Sequence, residues 1–468
     1  MRFVTTRGVR PLAAVGAGAP APHHPEAIEA AAGGVSLRQA MLDGLAPDGG
    51  LYVPEAIEQW QPGELARLGN RTLTEIGYRV LRPYTRGELD ATICEALVVA
   101  ALNFPIPLVE VEPGIFALEL FHGPTLAFKD VGARTMARLM ASLDSGDQPL
   151  TILAATSGDT GSAVAHAFHD VPHTRVVILY PDGRVSPTQE AQLTMFNSEA
   201  GNVRAYAVAG SFDDCHRLTK EAFADAALRN EVRLTSANSV NIGRLLPQMV
   251  YYFHAVAQAQ QRGRRSEIVV CTPSGNFGNL TAGLMAKRAG LPIERFVAAT
   301  NINDVVPAFL QSGRFEPRAS VQTIANAMDV GDPSNFERMR WLYRDDLDAM
   351  RDDIAGSVHR DDEVRTTIKR VYEQRGYLLD PHSAIAYLGL KGAVASRPGR
   401  TSEVAAGVTA RIGIFLATAH PAKFGEVVEP ILGRTIDTPL PLAQALARPR
   451  HILKIDATFA AVRRTLDA

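Results

Sequence analysis

The chain has 468 residues, enough for two or three domains, because single hydrophobic cores tend to divide beyond roughly 250 to 300 residues. Hydrophobic residues make up 46%, charged residues 21%, and the formal net charge is -2, a composition typical of folded enzymes and not of disordered chains. Lys and Arg form no dense cluster, which argues against nucleic-acid binding, and no apolar run reaches the roughly 18 residues of a membrane span.

The cysteines Cys94, Cys215 and Cys271 are odd in number and far apart in the sequence. This spacing suggests neither a disulfide framework nor a paired metal-ligand motif. We therefore expect small core thiols, no metal site and a cytoplasmic location.

The N-terminal stretch is rich in Ala, Gly and Pro, and residues 11–34 are predicted to form a flexible insertion. Ordered structure is expected to begin near Ser36, a candidate N-cap for a helix with apolar residues at helical spacing. Turn residues at 47–50 precede a short predicted strand at 51–53, and the pattern then stays mostly helical to about Leu102. Residues 1–104 are accordingly assigned to an N-terminal helical region.

From about Pro105, β-branched runs alternate with helical segments, which indicates an α/β fold. The clearest predicted strands cover residues 151–156, 176–180, 267–271 and 412–416. Their near-continuous apolar character is typical of parallel sheets covered on both faces. Ligands of such folds bind beyond the carboxyl ends of strands, so the residues that follow these runs are the candidate site. We expect a smaller domain over 105–260 and a larger one over 261–468, with interleaved boundaries.

The loop Ser157, Gly158, Asp159, Thr160 and Gly161 leaves one predicted strand and opens a helix. Backbone N–H groups at a helix N-terminus favour an anion, so a carboxylate or phosphate would suit this loop. A plain strand-to-helix turn with a capping hydroxyl explains the same residues equally well.

A second loop of this kind contains Gly275, Asn276, Phe277, Gly278 and Asn279. Its glycines allow close backbone approach, so successive N–H groups could surround a phosphate. The loop lacks both the Lys-Ser/Thr ending of a Walker motif and the spacing of a dinucleotide fingerprint. The phosphate of a cofactor other than ATP or NAD fits better, with a structural turn as the alternative.

Lys129 follows Leu126, Ala127 and Phe128 in the chain. Apolar surroundings lower the pKa of a lysine, which makes the neutral amine needed for Schiff-base chemistry accessible. A lone lysine is more often a solvated surface charge, and only its combination with two anion-binding loops favours the functional interpretation.

Thr418 comes directly after the predicted strand 412–416. A hydroxyl in that position could bond a ring nitrogen without enforcing its protonation, or it could simply cap the next helix. Lys423 and His420 nearby are weaker candidates, since either could cap that helix or contact a substrate.

Together these segments resemble the threonine synthases, which are fold-type II pyridoxal-phosphate enzymes. The resemblance runs from Ser36 to about Gly433. It rests on residues 44–54, the Lys129 motif, 157–161, 236–241, 274–279, 326–330 and 418–424. It implies two open, largely parallel twisted sheets flanked by helices, together with the N-terminal helical region.

The resemblance implies that Lys129 forms the Schiff base, that Gly275 to Asn279 hold the cofactor phosphate and that Thr418 faces the pyridine nitrogen. The Ser157 to Gly161 loop aligns with one that grips the substrate carboxylate or a ring oxygen of the cofactor. Asp159 stands where the wider fold type commonly has Asn. Because carboxylates repel each other, we expect the backbone of this loop, more than the Asp159 side chain, to bind substrate.

The resemblance further implies O-phospho-L-homoserine as substrate, with L-threonine and phosphate as products. The sequence leaves open whether the protein is a monomer or a homodimer. Arg244 is the preferred cation for the substrate phosphate because its fork matches phosphate oxygens, although an ion-paired helix arginine is an equal alternative. Hydroxyl and amide groups come from Ser236, Asn238 and Asn241. Two rival functions stay open: a phospho-lyase that eliminates without hydration, and a non-catalytic cofactor- or amino-acid-binding protein.

Overall fold

A computed structural model describes residues 1–8, 34–198, 200–262, 266–395 and 410–467. The predicted insertion at 11–34 lies outside these residues except for Gly34. Ser36 is the N-cap of the first helix as predicted, its side chain accepting from the backbone N–H of Gln39. The expectation that order begins there is wrong, because Phe3–Thr5 forms a strand and the Phe3 side chain is fully buried.

The strands of the described residues are numbered in chain order. They are β1 Phe3–Thr5, β2 Tyr52–Pro54, β3 Leu108–Glu112, β4 Ile115–Glu119, β5 Leu150–Ala155, β6 Thr174–Pro181, β7 Val203–Ala209, β8 Leu234–Ser236, β9 Ser266–Pro273, β10 Arg295–Thr300, β11 Ile354–Val358, β12 Ala410–Ala417 and β13 Leu453–Asp456. All four strands singled out in the sequence are present, as β5, β6, β9 and β12.

The α-helices of the described residues are numbered in the same way. They are α1 Leu37–Asp43, α2 Pro62–Ala66, α3 Leu73–Thr85, α4 Ala91–Ala101, α5 Lys129–Leu143, α6 Asp159–Phe168, α7 Pro187–Thr194, α8 Phe212–Ala224, α9 Ala226–Glu231, α10 Ile242–Leu245, α11 Met249–Gln261, α12 Gly278–Arg288, α13 Val305–Ser312, α14 Phe336–Tyr343, α15 Leu347–Asp353, α16 Asp361–Arg375, α17 Pro381–Ala395, α18 Gly425–Leu432, α19 Leu440–Ala447 and α20 Phe459–Asp467. Short 3-10 turns cover Leu68–Asn70, Leu246–Gln248, Asn326–Met328 and Pro421–Phe424.

The strands form two large sheets and one small one. A six-stranded sheet has the order β11-β10-β9-β12-β4-β3 and is parallel except for its edge strand β3. A five-stranded sheet has the order β13-β7-β6-β5-β8 and is parallel throughout. The antiparallel pair β1 and β2 completes the set. The α/β architecture with largely parallel sheets is thus confirmed.

The two large sheets draw strands from distant parts of the chain. β3 and β4, within residues 105–260, belong to the six-stranded sheet, whose other strands come after residue 265. Conversely, β13 near the C-terminus pairs with β7 of the five-stranded sheet. The chain therefore passes between the two sheets three times.

Helices cover both faces of the large sheets, as β9 illustrates. Ile268 and Val270 pack in one hydrophobic cluster, whereas Val269 and Cys271 pack in another on the opposite face. Successive side chains of a strand point to opposite faces, so an apolar run is needed when both faces are buried. The same holds in β5, where Ile152 and Leu153 enter different clusters. This double burial explains the continuous apolar runs in the sequence.

Within the described residues, none of the helices has the length and apolar character required to cross a bilayer. The same residues contain no group of three or more His, Cys, Asp or Glu side chains placed to hold a metal ion. Cys94, Cys215 and Cys271 are free, buried thiols.

Candidate active site

The carboxyl ends of β5, β8, β9 and β12 face a common region between the two large sheets. A cleft of about 520 Å³ opens there, and its lining includes Lys129, Ser157, Asp159, Thr160, Asn238, Asn276 and Asn326. A smaller cavity adjoins it, lined among others by Lys129, Arg244, Gly275 to Asn279, His382 and Thr418. Lys129 and Asp159 contact both spaces. We refer to them below as the cleft and the small cavity.

Lys129 is the first residue of α5 and is positioned by the strand end of β12. The Phe128 backbone N–H donates to the Thr418 carbonyl at 2.8 Å, and the Lys129 ammonium lies 4.7 Å from the centre of the Phe128 ring. Burial lowers the pKa of Lys129 to about 8, with help from Arg244 and against the opposing carboxylate of Asp159. Its amine is therefore far more accessible in the neutral form than that of an exposed lysine.

The turn before Lys129 is held by Asp130, the residue that follows the lysine in the chain. The Asp130 carboxylate accepts hydrogen bonds from the backbone N–H and the hydroxyl of Thr125 at 2.9 and 2.8 Å. Leu126 adopts a left-handed conformation with φ of 58°. Burial raises the pKa of Asp130 to about 6. The conspicuous sequence around Lys129 thus specifies a tight turn that places the lysine between cleft and small cavity.

The loop from Ser274 to Asn279 lines the small cavity and passes into α12. Phe277 has a left-handed φ of 57°, and a Cβ on Gly275 would lie 2.8 Å from the Ala327 carbonyl oxygen. Asn279 donates to the Pro273 carbonyl at 2.8 Å, which closes the loop on itself. The loop is therefore a fixed backbone cradle at a helix N-terminus, where a phosphate is favoured.

Pyridoxal phosphate fits the groups that line the small cavity. Lys129, the Gly275 to Asn279 loop and the Thr418 hydroxyl line one space, and Thr418 makes no side-chain hydrogen bond with any described residue. Arg244 Nε and Asn326 Oδ1 are also buried without a hydrogen-bond partner among the described residues. Unsatisfied buried polar atoms around a cavity are expected where a polar ligand completes the site.

The Ser157 to Gly161 loop presents only part of itself to the cleft. The Thr156 hydroxyl accepts from the backbone N–H groups of Gly158 and Gly161, both at 2.9 Å. Gly158 has a φ of 137°, a conformation that favours glycine. Ser157, Asp159 and Thr160 line the cleft, whereas the two glycines shape the turn behind it. Backbone binding of an anion here is therefore limited to the non-glycine positions.

Asp159 forms an ion pair with Lys423, which was only a weak candidate from the sequence. Lys423 Nζ lies 2.7 Å from Asp159 Oδ1, and both side chains are buried. Burial opposes ionisation of Asp159, but Lys423, His382 and Gln189 together hold the pKa of the carboxyl below its ordinary value. The sequence signal for this pair was an Asp in one strand-end loop, where the wider fold type commonly has Asn, and a Lys in another.

The segment from Ser236 to Arg244 divides between site and scaffold. Asn238 lines the cleft, and its Nδ2 donates to the Ala155 carbonyl at 2.8 Å. Asn241 is fully buried and donates to the carbonyls of Met41 and Ser236, so it braces the fold and does not line the cleft. Ser236 ends β8, and its hydroxyl accepts from the Asn238 backbone N–H.

Arg244 lies on the small cavity and not on the cleft. Its Nη1 donates to the Ala237 carbonyl at 2.9 Å, and burial lowers the pKa of Arg244 to about 10. The Asp130 carboxylate favours the charged form of Arg244 and so opposes this lowering of the pKa. Within the described residues, the Arg244 guanidinium has no ion-pair partner, Asp130 included. An unpaired buried guanidinium is well suited to receive an anion.

Other residues of the site were not foreseen as candidates. Ser239 lines both spaces, His382 lines the small cavity, and His216 and Lys220 line the cleft from α8. The His382 ring bonds the buried Asp380 carboxylate at 2.6 Å. These residues lie on helices and loops whose partners are remote in sequence, and no local motif marks them.

Family models match this chain along most of its length. The model described as "Pyridoxal-phosphate dependent enzyme" matches residues 100–409, "Threonine synthase N terminus" matches 29–102 and "Threonine synthase, C-terminal" matches 393–466. A threonine synthase of Escherichia coli (strain K12) is 44% identical over 432 residues, covering 92% of this chain and 96% of the relative. The chain belongs to the threonine synthase family.

Solved structures agree with this threonine synthase assignment. The crystal structure of the Escherichia coli threonine synthase has a TM-score of 0.87 and 40% sequence identity, covering 100% of this chain and 99% of that one. A threonine synthase of Brucella melitensis with bound pyridoxal phosphate has a TM-score of 0.85 and 35% identity, covering 100% and 98%. The predicted fold type, enzyme class and cofactor are thereby confirmed.

Proposed function

We propose that Lys129 carries the cofactor and moves the protons of the threonine synthase reaction in this chain. As a family member, the enzyme is a pyridoxal-phosphate-dependent lyase that converts O-phospho-L-homoserine and water to L-threonine and phosphate. The observation that supports the role of Lys129 is its position, since it contacts both the small cavity and the cleft.

The small cavity is proposed to hold the cofactor. Gly275, Asn276, Phe277, Gly278 and Asn279 would receive its phosphate at the start of α12, and the Thr418 hydroxyl would meet the pyridine nitrogen. Bound pyridoxal phosphate supplies an electron sink for the carbanion that forms when the substrate loses a proton. A neutral hydroxyl partner, unlike a carboxylate, does not enforce protonation of the ring nitrogen.

Lys129 is proposed to remove the proton at the substrate Cα and to return a proton there at the end of the reaction. Between these two transfers a Cβ proton is lost, phosphate leaves Cγ with one proton, Cγ gains a proton, and water adds its hydroxyl at Cβ and releases its other proton. A base works best when its pKa lies near the working pH, and a pKa of about 8 meets this condition. Because the partly buried lysine lies where the cleft meets the small cavity, its amine is proposed to stay close to the reacting carbon through both transfers.

The substrate is proposed to lie in the cleft, with its phosphate directed to Arg244. The guanidinium has an orphaned Nε and no carboxylate partner among the described residues. Arg244 lies on the adjoining small cavity, whereas Asn238, Ser157 and Thr160 line the cleft itself and offer amide and hydroxyl groups. Ser236 and Asn241 are proposed to act indirectly, by bracing the segment that carries Asn238 and Arg244.

We also propose that the two large sheets mark two interleaved domains. The smaller one would consist mainly of residues 120–260 together with β13, and the larger would add β3 and β4 to the residues after 265. A cytoplasmic location and action on small molecules alone are further proposals, supported by three free thiols and by the balanced charge.

Product analysis tests the proposed reaction. Purified enzyme supplied with O-phospho-L-homoserine is expected to release threonine and phosphate in a one-to-one ratio. Release of phosphate with a keto acid and ammonia would instead identify an eliminating phospho-lyase and overturn the proposal.

A further inference from the structure

Lys423 joins three elements at the floor of the site. It belongs to the 3-10 turn Pro421–Phe424 after β12, and its ammonium meets Asp159 Oδ1 at 2.7 Å, at the start of α6. The same ammonium donates to the Thr125 carbonyl at 2.9 Å, in the turn before Lys129. Lys423 is completely buried. Buried ion pairs are costly to desolvate and are weak contributors to stability, so their presence beside a functional lysine calls for another explanation.

The two carboxylate oxygens of Asp159 have different surroundings. Oδ1 receives both the Lys423 ammonium and, at 3.2 Å, the Gln189 side-chain amide. None of the described residues donates a hydrogen bond to Oδ2. Asp159 lines both the cleft and the small cavity, so a fixed carboxylate with one unoccupied oxygen faces the space around Lys129.

Charges of both signs act on Lys129. Arg244 and Lys423 favour its neutral form, whereas Asp159 favours the ammonium form. Asp159 in turn faces Lys423 and His382. An isolated carboxylate at this position would hold the nitrogen of Lys129 in its protonated state, which would oppose its use as a base. Lys423 offsets that charge while leaving Asp159 in place as an acceptor.

We propose that Lys423 is a positioning residue that acts through Asp159: it fixes the carboxylate, leaves Oδ2 directed at the Lys129 nitrogen and its bound ligand, and cancels the carboxylate's charge there. Asp159 and Lys423 thus form one neutral unit. The inference rests on the proposed role of Lys129 as the cofactor-bearing residue and adds the group that offsets the effect of Asp159 on its proton affinity.

Absorbance titration of the holoenzyme without substrate tests this unit. The pH midpoint of the cofactor spectrum is expected to rise by about one unit in Lys423→Met and to fall by about one unit in Asp159→Asn, since each change leaves one charge uncompensated beside Lys129. In the double variant the two shifts are expected to cancel. Single substitutions that shift the midpoint in the same direction, or leave it unmoved, would overturn the proposal.

A matched control comes from another lysine ion pair. Lys391 lies 2.6 Å from Glu112, away from the cleft, and Lys391→Met is expected to leave the midpoint unchanged. If the Lys423→Met variant does not fold, the nearly isosteric Asp159→Asn variant tests the proposal by itself. An unchanged pH midpoint in that variant would show that the charge of Asp159 does not act on Lys129, and would overturn the proposal. A failure of the proposed reaction is detected by a different experiment, the analysis of the products that the unaltered enzyme makes from O-phospho-L-homoserine.

Discussion

Asn276 Nδ2 donates to Ser239 Oγ at 2.7 Å and so joins the loop after β9 to the loop after β8. These loops extend from different sheets, the first from the six-stranded and the second from the five-stranded sheet. On the other side of the amide, Asn276 Oδ1 accepts from the Ser334 backbone N–H at 2.6 Å. The proposed cofactor cradle and the proposed substrate segment are therefore connected directly, and a shift in one displaces the other.

Substitution of Lys129 should abolish covalent attachment of the cofactor. Lys129→Ala is expected to fold but to lack the absorbance of the bound cofactor, and borohydride treatment should no longer fix the cofactor to the protein. Peptide mapping of the reduced unaltered enzyme should place the label on residue 129. Lys391→Ala provides the control and should retain colour and label, whereas label retained in Lys129→Ala would contradict the assignment.

The rate of cofactor uptake by the cofactor-free enzyme should depend on pH through Lys129. Only the neutral amine attacks an aldehyde, and burial lowers the pKa of Lys129 to about 8. The rate constant should therefore rise about tenfold per pH unit below this value and level off above it. Stopped-flow absorbance at fixed cofactor concentration measures this profile. A rate still rising steeply at pH 9 to 10 would indicate an ordinary exposed lysine.

Gly275→Ala should weaken cofactor binding. The new Cβ would lie 2.8 Å from both the Ala327 carbonyl oxygen and the Met328 Cα, so backbone of the cradle must shift. A loss of at least about tenfold in cofactor affinity is expected, equivalent to about 1.4 kcal/mol. Equilibrium dialysis or fluorescence titration measures it. Gly392→Ala is a suitable control, because no atom lies within 4 Å of its Cβ and alanine favours the helix.

Substitution of Arg244 should weaken substrate binding more than cofactor binding. Arg244→Ala is expected to raise KM for O-phospho-L-homoserine at least about tenfold, the effect of losing one charge-assisted contact of 1.5 to 3 kcal/mol, while the cofactor spectrum persists. Arg244→Lys should recover part of the loss, since it restores charge without the fork. Inhibition by inorganic phosphate should weaken in parallel. Unchanged kinetics in Arg244→Ala would place the substrate phosphate elsewhere.

The elements of this fold follow from local sequence. The strands β5, β6, β9 and β12 are continuous apolar runs because both faces of each sheet are covered, and the residues that follow them mark the site. Thr418 and the two glycine-containing loops follow from this rule, and Lys129 follows from its apolar neighbours taken together with those loops. The prediction for the segment around Phe3 is wrong, because its short strand depends on tertiary contacts: pairing with β2, a bridge to Val35 and burial of the Phe3 ring.

Sequence by itself determined the α/β class, the threonine synthase family and the motifs that supply Lys129, the proposed phosphate cradle and the Thr418 hydroxyl. Tertiary structure decided how their charges are balanced. Asp159 and Lys423 are 264 positions apart in the chain, and only the convergence of α6 with the turn after β12 brings their side chains to 2.7 Å. The strength of an ion pair depends on the distance between the charges and on their burial. Both are set by where the strand ends lie in space, and local residue patterns do not encode that arrangement.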